Sequence, residues 1–132
     1  MAKAERWIMI GATSAALAIA AGATFVARST VYHALELDKI LSEAIAKDGF
    51  SVVEAVSYCH TGYGRLNKLG TAADMMRALK EDSIPRTAFE KMTPEEQSAN
   101  RKIVRGTFVN IDRPQYTHVY SNLITQIQGG EK

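Results

Sequence analysis

The residues of this chain with most capacity for chemistry stand together near its middle, in Tyr58-Cys59-His60 and in the segment TGYGRLNKLG that follows from Thr61 to Gly70. A cysteine is a nucleophile or metal ligand as its thiolate, and Cys59 is the only cysteine in the chain. His60 beside it has no second Cys or His at ligand spacing, and no Cys-x-x-Cys-His pattern for haem is present. Glycine lets backbone approach a ligand closely, and arginine suits a carboxylate bidentately. Gly62, Gly64, Arg65 and Asn67 are therefore candidates for the rim of a substrate site. Plainer readings stand beside these: a thiol packed as a small hydrophobe, a lone structural histidine, and a Gly-rich turn with a solvated arginine.

Two other chemistries are excluded locally. Lys68 lacks the preceding Gly-x-x-x-x-Gly and the following Ser or Thr of a phosphate-binding loop. Glu95 and Glu96 follow Thr93-Pro94 and read as acids at a helix start, where they favour the positive end of the dipole.

The elements that must position these residues are legible on either side. Ser14 to Ala21 reads as the end of a helix, Gly22 as its stop, and Thr24 to Arg28 as a buried strand. Ser29 and Thr30 offer N-cap hydroxyls to a helix in which Leu37, Ile40, Leu41, Ala44 and Ile45 form the apolar face. Glu36, Lys39, Glu43 and Lys47 fall on its wet side. Phe50 to Ser57, FSVVEAVS, is β-branched and apolar and predicts a strand buried on most of its surface. After the Gly-rich loop, Thr71 and Asp74 make a capping-box start for a helix over 72–80, ended by Ile84-Pro85. A third strand is expected over Ile103 to Ile111. A last helix opens at Pro114, with Tyr116, Val119, Tyr120, Leu123, Ile124 and Ile127 in one stripe. Strands alternating with helices predict an α/β fold with a parallel sheet, and three legible strands make that sheet partial.

A length of 132 residues suits one domain. With 46% hydrophobic residues, 23% charged residues and a net charge of +2, nothing suggests a nucleic-acid partner. One cysteine excludes an intrachain disulfide and fits a reducing, cytoplasmic setting. The uncharged run Trp7 to Ala27 is long enough for a membrane span, but it is dominated by small residues that insert weakly. It supports the rival reading of a single-pass membrane-anchored interaction protein carrying a soluble accessory domain. A remnant without function is a third reading.

At LAIAAGATFVARSTVYHALELDKIL and FSVVEAVSYCHTGYGRLNKLG, then at MTPEEQ, KIVRGTFVN and Pro114-Gln115-Tyr116, the sequence resembles the β subunit of 2-oxoacid:ferredoxin oxidoreductases, most closely those acting on 2-oxoglutarate. The resemblance runs in order from about Ala15 to Ile127. It implies the C-terminal part of a doubly wound thiamine-diphosphate-binding fold over 15–132, with an unrelated segment at 1–14. That join reads as a split, truncated or frame-shifted reading frame. It further implies a complex that decarboxylates a 2-oxoacid oxidatively to an acyl-CoA and reduces ferredoxin, using thiamine diphosphate, Mg²⁺ and a 4Fe-4S cluster. The partners implied are the remainder of the β subunit and an α subunit.

Cys59 matches a cysteine that in this family is one cluster ligand, although the family's usual preceding proline is Tyr58 here. Such a cluster takes four thiolates, so the other three would come from another chain. The family's Gly-Asp-Gly to Asn-Asn motif and its Cys-x-x-Cys have no counterpart in residues 1–132. The chain alone is therefore expected to bind neither thiamine diphosphate nor a whole cluster and to be inactive by itself.

Overall fold

The computed structural model describes residues 14–129. The expected unrelated segment 1–14 and the first part of the Trp7 to Ala27 run thus lie almost wholly or partly outside the described residues. What is described of that run is not one helix. Residues 14–20 are helical (α1), and Gly22 takes φ +85° as the left-handed stop. The Gly22 amide donates to Ile19 O and the Ala23 amide to Ala18 O, the paired bonds of a Schellman end. Strand β1, Phe25–Thr30, follows at once. Among the described residues no helix is long and apolar enough to cross a membrane.

From β1 the chain passes through α2 (Ala34–Ala46) to β2 (Ser51–Val56), then a π-helical turn at His60–Gly64, α3 (Ala72–Glu81) and β3 (Ser83–Pro85). Two short helices, α4 (Arg86–Phe89) and α5 (Pro94–Ala99), lead to β4 (Ile103–Asn110) and the final helix α6 (Tyr116–Gly129). The expected capping box of Thr71 with Asp74 forms, and at the expected helix start Thr93 makes a second box with Glu96.

The strands make a four-stranded sheet in the order β2-β1-β4-β3. β1 runs parallel to β2, from Phe25 beside Ser51 to Thr30 beside Val56, and β3 runs parallel to β4. The α/β class is as expected, with one refinement: β4 joins β1 antiparallel, so the two parallel pairs meet in a mixed sheet. β3, three residues ending in a proline, carries too little pattern to be legible as a strand.

Helices cover both faces of β1, which makes the unit doubly wound. On one face Val26 packs with Ala15, Ala18 and Ala23, joined by Val52, Phe108 and Val109. On the other, Phe25 and Ala27 pack with Ile40 of α2, joined by Ala44 and Val53. A bulge opposite Val26/Ala27 lets the consecutive residues Phe108 and Val109 both reach the first cluster. It also frees carbonyls from the ladder, and Arg86 Nη1 donates to Thr107 O and to Phe108 O, the latter at 2.8 Å.

Three local expectations are corrected. Ser29 and Thr30 cap no helix: they are the buried end of β1, and α2 starts at Ala34 after His33, which makes no side-chain cap. Glu36 is not on a wet face but half-buried against the sheet, where it accepts from Ser29 Oγ at 2.9 Å and Arg105 Nη1 at 2.6 Å. Its place four residues before the buried Ile40 puts it on the inner stripe. β2 is half-buried because β1 flanks it on one side only.

Phe25 is fully buried whereas Leu123 on α6 is 50% exposed. Phe25→Ala is expected to cost about 3–5 kcal/mol through the cavity it leaves, and Leu123→Ala to stay within about 0.5 kcal/mol of the parent chain. Urea denaturation followed by circular dichroism measures both; equal losses would contradict this division between core and surface.

Candidate functional site

In parallel α/β sheets ligands gather beyond the carboxyl ends of the strands, and that is where β1 and β2 deliver their polar residues. β2 ends at Val56, and Tyr58 and Cys59 follow directly. Tyr58 is half-buried; burial raises its phenol pKa, with the negative charge of Asp82 next, so the hydroxyl stays protonated. Its ring lies 5.9 Å from that of Tyr63.

The turn at His60–Gly64 winds back over Cys59. Its backbone closes through the Gly64 amide on Cys59 O at 2.9 Å and the Leu69 amide on Gly64 O at 3.0 Å. The Cys59 sulfur is thereby aimed at donors: Thr61 Oγ1 lies 3.3 Å away and the Gly62 amide donates to it at 3.4 Å. The thiol is exposed, which corrects the reading of a buried hydrophobe. Its pKa falls to about 7, chiefly because of the Thr61 hydroxyl and then the amides of Gly62 and Tyr63. Donors around an exposed sulfur favour the thiolate, the form that ligates a metal.

The four residues expected to rim a site prove unlike one another. Gly62 lies against the sulfur, where a Cβ would sit 3.6 Å from Cys59 Sγ. Gly64 is buried, and a Cβ there would drive into the Met75 sulfur of α3, so glycine serves the close packing of turn on helix. Asn67 donates from Nδ2 to Tyr63 O at 2.8 Å and braces the turn. Arg65 is exposed, as is Lys68 further along the loop. The expected plain loop is therefore a wound one, its helical run continuing through residues 65–66. Thr61, the strongest influence on the thiol, was not singled out by sequence; its place two residues after the cysteine was the available signal.

Behind this turn the carboxyl end of β1 carries a second polar group. Ser29 and Arg105 meet on Glu36, and Thr30 Oγ1 lies 2.8 Å from His33 Nδ1. Burial, then the charge of Arg105, lowers the His33 pKa and keeps it neutral. Lys80 of α3 sits over the Tyr32 ring at 5.8 Å, tying this end of β1 to the helix that packs under the turn.

A small cavity of about 220 Å³ beside Cys59 is lined by Tyr58, His60, Ala72, Met75, Met76 and Leu79. A larger groove of about 440 Å³ lies on the α1 face by Arg28 and Phe108, away from the thiol, and its lining is mostly apolar. Among the described residues no three His, Cys, Asp or Glu side chains converge as a metal site. Mg²⁺ requires several oxygen ligands, and residues 61–70 contain no acid. The residues present do not fit a thiamine diphosphate and Mg²⁺ cradle. What they present is a single exposed thiol, that of Cys59.

No family model matches the chain. The 2-oxoglutarate synthase subunit KorB of Methanocaldococcus jannaschii is 42% identical to it over 112 residues, 85% of this chain and 41% of that relative. The subunits of the same name from Methanothermobacter thermautotrophicus and Methanothermobacter marburgensis are 36% and 38% identical, over 87% and 83% of this chain. The chain is homologous to part of KorB. It spans about two fifths of the length of these relatives. The expected resemblance to the β subunit is thus shown for this part.

The thiol's ionisation is a direct readout of the turn. Alkylation of Cys59 is expected to rise through a midpoint near pH 7, thiol below and thiolate above. Thr61→Val, which removes the first donor, should move the midpoint upward toward the ordinary thiol range near 8.5. Iodoacetamide kinetics against pH measure both, and an unmoved midpoint in Thr61→Val would refute the role given to that hydroxyl.

Proposed function

We propose that this chain works as part of a 2-oxoglutarate synthase, inactive alone and completed by other chains. The observation that carries the reading is an identity of 36–42% with KorB subunits along more than four fifths of the chain. The whole assembly would oxidise 2-oxoglutarate in the presence of coenzyme A. One 2-oxoglutarate and one coenzyme A give one succinyl-CoA, one CO₂ and one proton, while two electrons pass singly to two ferredoxins.

Within that assembly Cys59 supplies one thiolate to a 4Fe-4S cluster, and three come from elsewhere. Hydrogen bonds to a ligating sulfur stabilise its negative charge and tune the cluster's potential. The Thr61 hydroxyl and the Gly62 amide are placed for this. Arg65 pairs with a carboxylate of the substrate from the exposed side of the same turn, with Gly62 permitting close approach. Gly64 and Asn67 hold the turn's shape. Thiamine diphosphate and Mg²⁺ are held by the remainder of the β subunit and the α subunit. The setting is the reducing cytoplasm, consistent with a single free thiol.

The membrane-anchored alternative has lost its support, because described residues of the Trp7 to Ala27 run form a helix end, a turn and a strand. Co-expression with the remaining part of a KorB-type β subunit and its α subunit tests the proposal. The purified complex is expected to reduce ferredoxin in the presence of 2-oxoglutarate and coenzyme A. Cys59→Ser should lower its iron and sulfide content and its ferredoxin reduction by tenfold or more. A complex whose iron, sulfide and activity are unchanged by Cys59→Ser would remove the cluster role, and a complex without any such activity would remove the synthase reading.

A further inference from the structure

Helix α6 is the part of the molecule whose sequence and surroundings disagree. Its stripe of Tyr116, Val119, Tyr120, Leu123, Ile124 and Ile127 follows the spacing i, i+3, i+4, i+7, i+8, i+11 that buries one helix face. Yet these side chains are between 37% and 76% exposed, and no residue of α6 is buried. The other side of the helix offers no compensation, since none of its 14 residues is Asp, Glu, Lys or Arg. α2, nearly as long and facing water on one side, carries Glu36, Asp38, Lys39 and Glu43. A helix apolar on one side and uncharged all round is one that another surface covers.

The missing charge also decides the shape of the cover. Thr117, Ser121, Asn122, Thr125 and the glutamines can enter a cleft with the stripe and leave no buried charge behind. The stripe is about 20 Å long, and a stable specific interface buries roughly 800 Å² per partner. A groove that wraps the helix covers more of it than a flat pairing with its own copy. The Tyr116 and Tyr120 rings, stacked with centroids 6.0 Å apart, give it a rigid aromatic anchor. About three fifths of the length of the relatives lies outside the part that this chain matches, and that part is the occupant nearest to hand.

We infer that the α6 stripe is a docking element that seats in an uncharged hydrophobic groove on the part of a KorB-type subunit that lies outside the matched residues. The inference rests on the synthase reading and adds to it the surface by which the pieces join. Because no residue of α6 is buried among the described residues, a charge placed in the stripe disturbs docking without disturbing the sheet.

The test is co-expression of the full chain with the part of the M. jannaschii subunit lying outside its 112 matched residues, followed by affinity purification and mass determination. The parent chain is expected to be retained one to one. Leu123→Asp and Tyr120→Asp should each lower retention by tenfold or more, with circular dichroism unchanged, while the exposed control Ser98→Asp is retained as the parent is. Retention of both stripe variants at the parent level would overturn the docking element and leave the synthase reading standing. A parent chain that is not retained but forms a homodimer split by Leu123→Asp would overturn it in favour of a second copy. A parent chain that neither binds nor dimerises would remove the synthase reading and the inference with it.

Discussion

Among the described residues β1 is the one strand whose six residues are all buried, and α1, α2, β2 and β4 are placed by what they do for one of its faces or edges. The alternation of a strand sends Val26 to the helix before it and Phe25 and Ala27 to the helix after it. A six-residue segment thereby organises two separate hydrophobic clusters. The edges are set as firmly. Just before the strand, Thr24 Oγ1 lies 3.1 Å from both Asp48 O and Phe50 O and fixes where β2 begins. Gly49, at φ +104°, comes so close to that threonine that a Cβ would collide with it. β2 is thus held in register at its start, and register is what determines where its carboxyl end releases Tyr58 and Cys59.

Burying β1 also buries polar groups, and the way they are satisfied connects the core to the site. Arg28, nearly enclosed, donates to Glu54 at 2.7 Å on the neighbouring strand and lies over the Phe108 ring at 5.4 Å. Ser29 and Thr30 find Glu36 and His33, and Glu36 brings in Arg105 from β4. Desolvated pairs of this kind add little net stability, but breaking one leaves an uncompensated charge that costs several kcal/mol. Their contribution is specificity: they clamp β1, β2, β4 and α2 in one relative position at the carboxyl edge. The bulge in β4 serves the same end on the other side, since it turns Phe108 toward Arg28 and exposes the carbonyls that Arg86 occupies.

What was legible in the sequence follows from how local each signal was. The Gly22 stop, the Thr71 capping box, the helix start at Thr93 and the strands at Phe25, Ser51 and Ile103 are written in short local patterns and formed where expected. The features that escaped are those decided by partners distant in the chain. Glu36 reads as a solvated acid until Arg105, 69 residues away, comes to rest on it. Ser29 and Thr30 have the composition of helix caps, and strand pairing with β2 and β4 overrides it. The antiparallel entry of β4 depends on a crossover that no local pattern records. At the site, Cys59 was legible as the residue of interest, and its exposure and depressed pKa were not, because both arise from the coiling of His60–Gly64 above it.

The same asymmetry explains why the molecule looks unfinished in a consistent direction. A chain that closed on itself would bury the stripe of its last helix and gather enough donors at its one reactive group to hold what that group binds. Here the reactive group is a single thiolate with its hydrogen bonds already in place, and the last helix is an apolar, uncharged face with its aromatic pair already stacked. Both are organised before anything is bound to them. Preorganisation of that kind lowers the entropy lost on association, and it has a purpose only if association occurs. The exposed thiol and the exposed stripe are therefore two consequences of one constraint: β1 and its two clusters organise the sheet that positions the thiol and leave the stripe free for docking.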